Sequence, residues 1–204
     1  MLRAARYDAG PSAQTAERSW PWFGAGYLAL AGFVALEAVV RAPGEAGSLE
    51  ASADDATTTR AIVAAYALSA TAAPLLRPIR QPGLPGLVAP VGAATAVAGL
   101  ALRAWSMVTL GEAYSRTLRT SGGQALVEDG PYRWLRHPGY LGSLLVWTGF
   151  ALTSRSPAVL AWVASLVGSA YRRRILTEEA LLDCRLPGYA AYRTRTWRLV
   201  PFVW

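Results

Sequence analysis

The chain has 204 residues, a formal net charge of +7, and 53% apolar against only 16% charged residues. Soluble domains carry about a quarter charged residues, so this deficit favours burial in lipid. The positive charge does not by itself predict nucleic-acid binding, because the arginines lie beside apolar runs, where membrane topology also gathers positive charge. With a single cysteine, Cys184, and a single histidine, His137, we expect neither an intramolecular disulfide nor a metal site.

The first predicted membrane span follows a polar leader. Residues 1–19 are polar and mixed, without the apolar core of a cleavable signal peptide. Residues 20–40 are apolar except for Glu37, and about twenty such residues cross a bilayer as a helix. Residues 41–59 are rich in turn-forming residues and predict a polar loop.

A second and a third span are predicted next. Residues 61–76 are apolar and rich in alanine, and the prolines and glycines of residues 77–86 mark a tight connection. The third span runs from about residue 87 to residue 110. Arg103 lies near its end, where an arginine can snorkel to the interface or face a polar cavity. Residues 20–110 therefore form a unit of three transmembrane helices.

Residues 111–204 form the remaining unit. Residues 111–137 are polar, and two short apolar runs follow at 139–153 and 158–171, which predict a tight helical hairpin. The tail from Arg172 onward is polar, basic and partly helical. The fold class expected is all-α: an integral membrane protein with about five transmembrane helices, the last two a short hairpin, and a cytoplasmic C-terminal helical tail.

The arginines set the predicted orientation. Cytoplasmic loops gather arginine, so residues 111–137 and the basic tail should face the cytoplasm. All basic residues are arginines, and alanine is abundant, which hints at a GC-rich genome and a bacterial inner membrane. Five spans would then put the N-terminus outside. Arginines that conflict with this orientation are Arg3, Arg6, Arg18, Arg77 and Arg80.

A soluble α/β fold is the alternative to a membrane bundle. Residues 24–29 (GAGYLA) fit a G-x-G-x-x-A dinucleotide-binding loop. That motif requires a preceding strand, and residues 19–22 (SWPW) do not supply one. Small residues in a membrane helix have the simpler use of close helix packing. The sequence therefore favours the membrane bundle.

Residues able to carry chemistry lie in two polar blocks separated by the predicted hairpin. The first polar block is residues 126–142, and the second is residues 172–179. A hairpin of adjacent helices returns the chain to the side it left, so the two blocks should be neighbours at one membrane face. The residues brought together in this way are Arg136, His137, Arg174, Glu178 and Glu179.

Each feature also has a purely structural interpretation. The glycine-proline pair can be a turn, and the histidine-proline pair a helix start. The aromatics can be interfacial anchors, and the arginines topology signals. Glu178 lies four residues after Arg174, so the two can pair on one helical face. Pairing alone does not explain why several arginines meet the sole histidine.

Taken together, the segments resemble the isoprenylcysteine carboxyl methyltransferase family, and the related phospholipid methyltransferases share the pattern. The resemblance rests on GPYRWLRHPGYLG at 130–142, RILTEEALL at 174–182, and YAAYRTRTWRLVPF at 189–202. It covers roughly the last hundred residues. The stretch before Tyr189 is about one residue shorter than the family pattern.

The resemblance implies S-adenosylmethionine as the methyl donor, held by the polar blocks and capped by the tail. Positions that match the cofactor pocket are Leu126, Val127, Gly130, Tyr132, His137, Pro138 and Tyr140, with Glu178 and Glu179 as the acidic pair near the cofactor. Arg136 and Arg174 match the arginines expected to face the acceptor carboxylate.

Methyl transfer to a carboxylate on a lipophilic acceptor, a lipid or a small molecule, is the first interpretation. A carboxylate is already ionised at neutral pH and needs no general base, and arginines can hold it by a fork of hydrogen bonds. An amine acceptor, as in a phospholipid, would need a base, for which Glu178 or Glu179 is the candidate.

Two further classes remain open from the sequence. A membrane reductase that uses NADPH would resemble this architecture, as sterol reductases do, and cofactor binding would discriminate. A non-enzymatic membrane scaffold would bind the cofactor and methylate nothing. Partners expected are membrane lipids and the lipophilic substrate, without nucleic acid, and the oligomeric state is open.

Overall fold

The computed structural model describes residues 20–40, 56–76, 83–111 and 126–204. These residues form six α-helices and a short 3-10 helix without any strand, as expected for an all-α protein. The helices are α1 (Trp20–Val40), α2 (Ala56–Leu76), α3 (Val88–Leu110), the 3-10 helix (Gly130–Arg133), α4 (Pro138–Thr153), α5 (Pro157–Arg185) and α6 (Tyr189–Arg195). The described residues do not include the five arginines that conflict with the predicted membrane orientation, which are Arg3, Arg6, Arg18, Arg77 and Arg80.

Three of the described helices are long and apolar enough to cross a membrane. They contain the segments Pro21–Val39, Thr57–Leu76 and Val88–Leu110. Their outward faces carry large apolar side chains such as Leu28 and Leu75. The first three predicted spans are therefore confirmed by length and hydropathy. α2 begins at Ala56 rather than near residue 61, because hydropathy marks the apolar part of a helix and misses a polar first turn.

The predicted hairpin is present, but its second helix is longer than expected. Ser156 caps the start of α5, because its side chain accepts a hydrogen bond from Val159 N at 3.4 Å. The helix then continues to Arg185 without a break. The apolar run predicted at 158–171 is therefore only the first half of this helix, which extends into the predicted tail. No proline follows until Pro187, so the polar second half continues the apolar first half as one helix. The second polar block therefore lies on a rigid helix.

Close packing of α3 against α4 depends on glycines that face each other. A Cβ added to Gly149 would lie 2.5 Å from Gly92 O, and one added to Gly99 would lie 2.6 Å from Gly142 O. The lack of side chains lets the two backbones approach, as in other membrane helix pairs. Gly26 of α1 packs in the same manner against Thr153 of α4. Residues 24–29 are thus helix interior, and a dinucleotide loop there is excluded.

Successive helices alternate in direction, so their ends gather into two groups. At one end the start of α3 meets the α4–α5 turn, where Leu84 N donates to Arg155 O at 2.9 Å. At the opposite end the beginning of α2 lies against α5, since Arg174 contacts Thr59. The end of α3, the beginning of α4 and the polar half of α5 meet at this second end. Both polar blocks therefore lie there.

Candidate functional site

The loop before α4 is fixed onto the end of α3 by a glycine. Gly130 has a φ of +54°, and a Cβ there would lie 2.7 Å from Thr109 Oγ1. Only glycine combines a positive φ with so close an approach at no steric cost. Gly130 begins the 3-10 helix, which ends at Arg133. Shortly after it, Leu135 forms a parallel bridge with Trp197 of the tail. The first polar block is therefore held between α3 and the C-terminal tail.

Backbone hydrogen bonds place the tail over the start of α4. Arg136 N donates to Trp197 O at 2.8 Å, and His137 N donates to Arg198 O at 3.2 Å. His137 is the residue before α4, where Pro138 suits the first turn and is fully buried. The tail therefore packs directly against the residues that lead into α4.

Glu179 is the centre of a buried charge cluster. Its carboxylate accepts hydrogen bonds from Arg136 Nε at 2.8 Å and Arg198 Nε at 2.8 Å, and lies 3.2 Å from His137 Nε2. Burial acts to raise the pKa of Glu179, but the hydrogen bonds from His137, Arg198 and Arg136 outweigh burial and hold that pKa well below its usual value. Glu179 is therefore an ionised carboxylate with cationic neighbours.

Glu178 belongs to an adjacent cluster with Tyr140 and Arg174. The Tyr140 hydroxyl donates to Glu178 Oε2 and accepts from Arg174 Nε at 3.1 Å. Arg174 Nη1 also donates to Thr58 Oγ1 at 3.2 Å and to Thr59 Oγ1 at 3.0 Å, which ties α5 to the beginning of α2. Arg174 and Glu178 lie 3.9 Å apart, the pairing expected from their four-residue spacing.

Stacked rings join the two clusters. The rings of His137 and Tyr140 lie 5.4 Å apart between centroids and 10° from parallel. Glu178 and Glu179 are neighbours on α5 and only 7% and 3% exposed. The two polar blocks therefore meet in one buried site, as the predicted hairpin required.

The other predicted site residues lie around these clusters. Leu126 and Val127 are half-buried in the segment before the 3-10 helix. Tyr132 is buried, and its carbonyl oxygen accepts a hydrogen bond from the Tyr192 hydroxyl at 2.7 Å. Arg136 Nη1 donates to two tail carbonyls, those of Arg193 at 3.0 Å and Thr196. Arg136 therefore holds the tail, while Arg174 holds α2.

Several residues of the site were missed from the sequence. Arg198 contributes a third guanidinium, and its Nη2 lies 2.7 Å from Glu179 Oε2. Thr58 and Thr59 lie within the predicted loop at 41–59, whose last residues belong to α2. The tail arginine stands within the family-like segment, which is the signal that could have found it. The threonines carry no such signal, because their role depends on how α2 packs on α5.

A buried ion pair below the site was also missed. Arg103 Nε donates to Glu37 Oε1 at 2.8 Å, and its Nη1 donates to Gly139 O at 3.0 Å and to Ser143 Oγ at 2.5 Å. The guanidinium lies 4.8 Å from the Phe33 ring centroid. Arg103 therefore faces the bundle interior rather than the lipid interface, and it joins α1, α3 and α4.

Fold and site together define an all-helical integral membrane protein with a buried charged site at one end of its bundle. The same fold occurs in a solved structure of the eukaryotic intramembrane Ras methyltransferase ICMT (isoprenylcysteine carboxyl methyltransferase). The TM-score is 0.62, the identity is 22%, and the match covers 91% of this chain and 68% of that one.

Sequence comparison finds a related protein family for part of the chain, including Arg136, Arg174 and both site glutamates. Residues 92–184, a little under half of the chain, match the isoprenylcysteine carboxyl methyltransferase (ICMT) family, which confirms the resemblance. The cobalt-zinc-cadmium resistance protein CzcN of Cupriavidus metallidurans is 36% identical over 93 residues, which are 45% of this chain and 43% of that relative. The chain thus matches less than half the length of this curated relative.

Proposed function

We propose that the protein is a membrane methyltransferase that uses S-adenosylmethionine and methylates a carboxylate on a lipophilic acceptor. One observation carries the proposal. The two blocks of the family-like pattern meet in a single buried site that holds paired glutamates and three guanidinium groups, those of Arg136, Arg174 and Arg198. The match of residues 92–184 to a methyltransferase family supports it.

The buried side chains fit an S-adenosyl ligand by their chemistry. Such a ligand carries a sulfonium, an ammonium and a carboxylate, together with ribose and adenine. The carboxylates of Glu178 and Glu179 favour the cationic groups, and the guanidiniums favour the carboxylate. The residues proposed to hold the ligand are Leu126, Val127, Gly130, Tyr132, His137, Pro138, Tyr140, Glu178 and Glu179.

The role proposed for the side chains is positioning. When bound, S-adenosylmethionine supplies a methyl group on a sulfonium, which is already an activated electrophile. The protein then has to hold the acceptor in line, which is the principal source of rate for such a reaction. Arg174 presents a guanidinium fork that suits a carboxylate, and its contacts with Thr59 and Tyr140 fix its orientation.

Arg136 is proposed as the second ligand of the acceptor carboxylate, and its hydrogen bonds also hold the tail. Its Nε is used by Glu179 and its Nη1 by two carbonyls of the tail. Loss of Arg136 should therefore release the tail and also weaken the binding of the acceptor.

The location of the site follows from charge. We place it on the cytoplasmic face of a bacterial inner membrane, because arginines gather in residues 111–137 and in the tail. A lipophilic acceptor would reach the site from the bilayer, while the donor enters from water. We also propose five membrane crossings. This number is a proposal because α4, the fourth crossing, has only 16 residues, which is shorter than the usual spanning helix.

Calorimetric titration of the detergent-purified protein with S-adenosylhomocysteine, and separately with NADPH, tests the proposal. We expect saturable binding of the first ligand alone. Methyl transfer is then measured with fatty carboxylates and with phospholipid amines as acceptors. Binding of NADPH alone would replace the proposal with a reductase. Methyl transfer to amines alone would leave S-adenosylmethionine as the proposed donor but replace the carboxylate by an amine as the acceptor. Glu178 would then be the candidate base.

A further inference from the structure

Two tyrosines of α6 are both buried, but their hydroxyls differ in partners. The Tyr192 hydroxyl donates to Tyr132 O at 2.7 Å and lies 3.2 Å from Leu135 O, so it ties the tail to the first polar block. The Tyr189 side chain is only 2% exposed, and its hydroxyl has no hydrogen-bond partner in the part of the chain that the structure describes. The difference sets Tyr189 apart.

A buried hydroxyl without a partner requires an explanation. Leaving a buried polar group unpaired costs free energy, and in folded proteins the large majority of such groups are paired. The Tyr189 ring packs against Tyr192 with centroids 6.0 Å apart, a contact that phenylalanine would make equally well. Packing therefore accounts for the ring but leaves the hydroxyl unexplained.

Tyr189 begins α6, the helix of the tail whose end is bonded to Arg136 of the charged site through Arg193 O and Thr196 O. Gly188, with a φ of +84°, reverses the chain after α5, and Tyr189 N donates to Leu186 O at 3.2 Å. Burial raises the pKa of Tyr189, the charges of Glu179 and Glu178 raise it further, and the charge of Arg136 lowers it. The hydroxyl therefore stays neutral, can both donate and accept, and lies within electrostatic reach of both charge signs.

We propose that the Tyr189 hydroxyl binds the zwitterionic amino-acid end of the S-adenosyl ligand. An ammonium and a carboxylate side by side match a region in which one neutral, buried hydroxyl lies within electrostatic reach of both carboxylates and a guanidinium. A bound ligand would supply the hydrogen bond that the described protein atoms do not. The inference rests on the proposed function, since it assigns a residue to the same ligand.

The substitution Tyr189→Phe tests this role because it removes only the hydroxyl. Tyr192→Phe removes the neighbouring hydroxyl and is the matched control. In Tyr189→Phe we expect the affinity for S-adenosylhomocysteine to fall roughly ten- to a hundredfold, the usual worth of one hydrogen bond to a charged group. The affinity for methylthioadenosine, which lacks the amino-acid end, should not change. The melting temperature of the ligand-free variant should equal or exceed that of the wild type, because no hydrogen bond is lost.

Tyr192→Phe should behave in the opposite way. Its hydroxyl is paired, so the ligand-free variant should melt about 2–4 °C lower, and the folded protein should bind S-adenosylhomocysteine within about twofold of the wild type. Titration calorimetry and thermal unfolding in detergent measure both quantities.

Three results would overturn the assignment. The first is unchanged S-adenosylhomocysteine affinity in Tyr189→Phe, and the second is an equal loss of affinity for both ligands, since neither fits a contact with the amino-acid end. The third is a drop in melting temperature without a change in affinity, which marks a structural hydroxyl. If the wild type binds no S-adenosylhomocysteine, the proposed function itself fails and this role falls with it, so the two failures are distinguishable.

Discussion

Among single residues, Arg174 separates acceptor binding from donor binding most sharply. It lies between α2 and Tyr140, and its link to the donor side is through Glu178. We expect Arg174→Ala to lower methyl transfer about 30-fold or more, as loss of a buried charge partner does, while S-adenosylhomocysteine affinity changes little. Radiometric transfer and calorimetry measure the two effects.

Arg173 provides the matched control for Arg174. It is the preceding residue on the same helix but is exposed, so Arg173→Ala should leave transfer unchanged. Arg174→Lys keeps the charge but loses the planar fork, and should recover only part of the activity. Full transfer by Arg174→Ala would remove Arg174 from the acceptor site.

Glu179 makes the stability of the protein depend on pH. Because its pKa is lower in the folded protein than in the unfolded chain, the ionised carboxylate stabilises the fold above its unfolded pKa of about 4.3, and this contribution is lost as pH falls through the folded pKa. Glu179→Gln should therefore melt below the wild type at pH 7, and the gap should narrow below about pH 4. It should also bind S-adenosylhomocysteine more weakly.

Thermal unfolding of both proteins across this pH range checks the prediction for Glu179. Asp183→Asn is the control, because Asp183 pairs with Arg193 at an exposed position where an ion pair contributes little. A gap between wild type and Glu179→Gln that is constant with pH would contradict the role of the ionised carboxylate.

At the scale of helices, the glycines between α3 and α4 set the separation of the two backbones. A Cβ on Gly149 would meet Ala96 N at 2.6 Å as well as Gly92 O at 2.5 Å, and backbone atoms cannot rotate away. Gly149→Ala should therefore destabilise the protein by about 1–3 kcal/mol, the usual cost of overpacking. Denaturant or thermal unfolding in detergent measures the loss.

Gly168 offers the control for that substitution. It lies inside α5, and a Cβ there would meet nothing within 4 Å. Gly168→Ala should be neutral or should stabilise the protein by up to about 1 kcal/mol through helix propensity. Equal effects of the two substitutions would contradict close packing of α3 on α4.

The length of α5 also decides how the site is built. Its apolar first part packs in the core through Val163 and Val167, and its second part carries Arg174, Glu178 and Glu179. Because both parts are one helix, the charged residues are rigid relative to the bundle. Sequence patterns placed a boundary near residue 171 because composition changes there, whereas a helix ends only where its backbone hydrogen bonds end.

For the molecule as a whole, the Glu37–Arg103 pair joins three helices beneath the site. The side chains are 13% and 4% exposed. Arg103→Met should cost about 3–5 kcal/mol, because it removes the guanidinium that pairs with a buried carboxylate. Adding Glu37→Leu should recover part of that loss. Measuring the free energy of unfolding of the two single variants and the double variant completes a double-mutant cycle. Strictly additive losses of this free energy would contradict the pairing.

The sequence alone determined the presence of the first three helices and the meeting of the two polar blocks. Hydropathy gave the bounds of α1 and nearly those of α3, and the spacing of the two polar blocks predicted their meeting, as His137 and Glu179 show. These features are local, because a bilayer requires about twenty apolar residues and a short turn returns the chain to its starting side. The family-like segment is a property of the sequence as well.

Only the tertiary structure decided which partner each polar side chain meets. Arg103 could face lipid or the interior, Arg136 proved to hold the tail, and the hydroxyls of Tyr189 and Tyr192 differ although the residues stand three apart on α6. The physical reason is that a hydrogen bond depends on distances of a few tenths of an ångström between elements remote in sequence. Those distances are set by how the helices pack, which no single segment specifies.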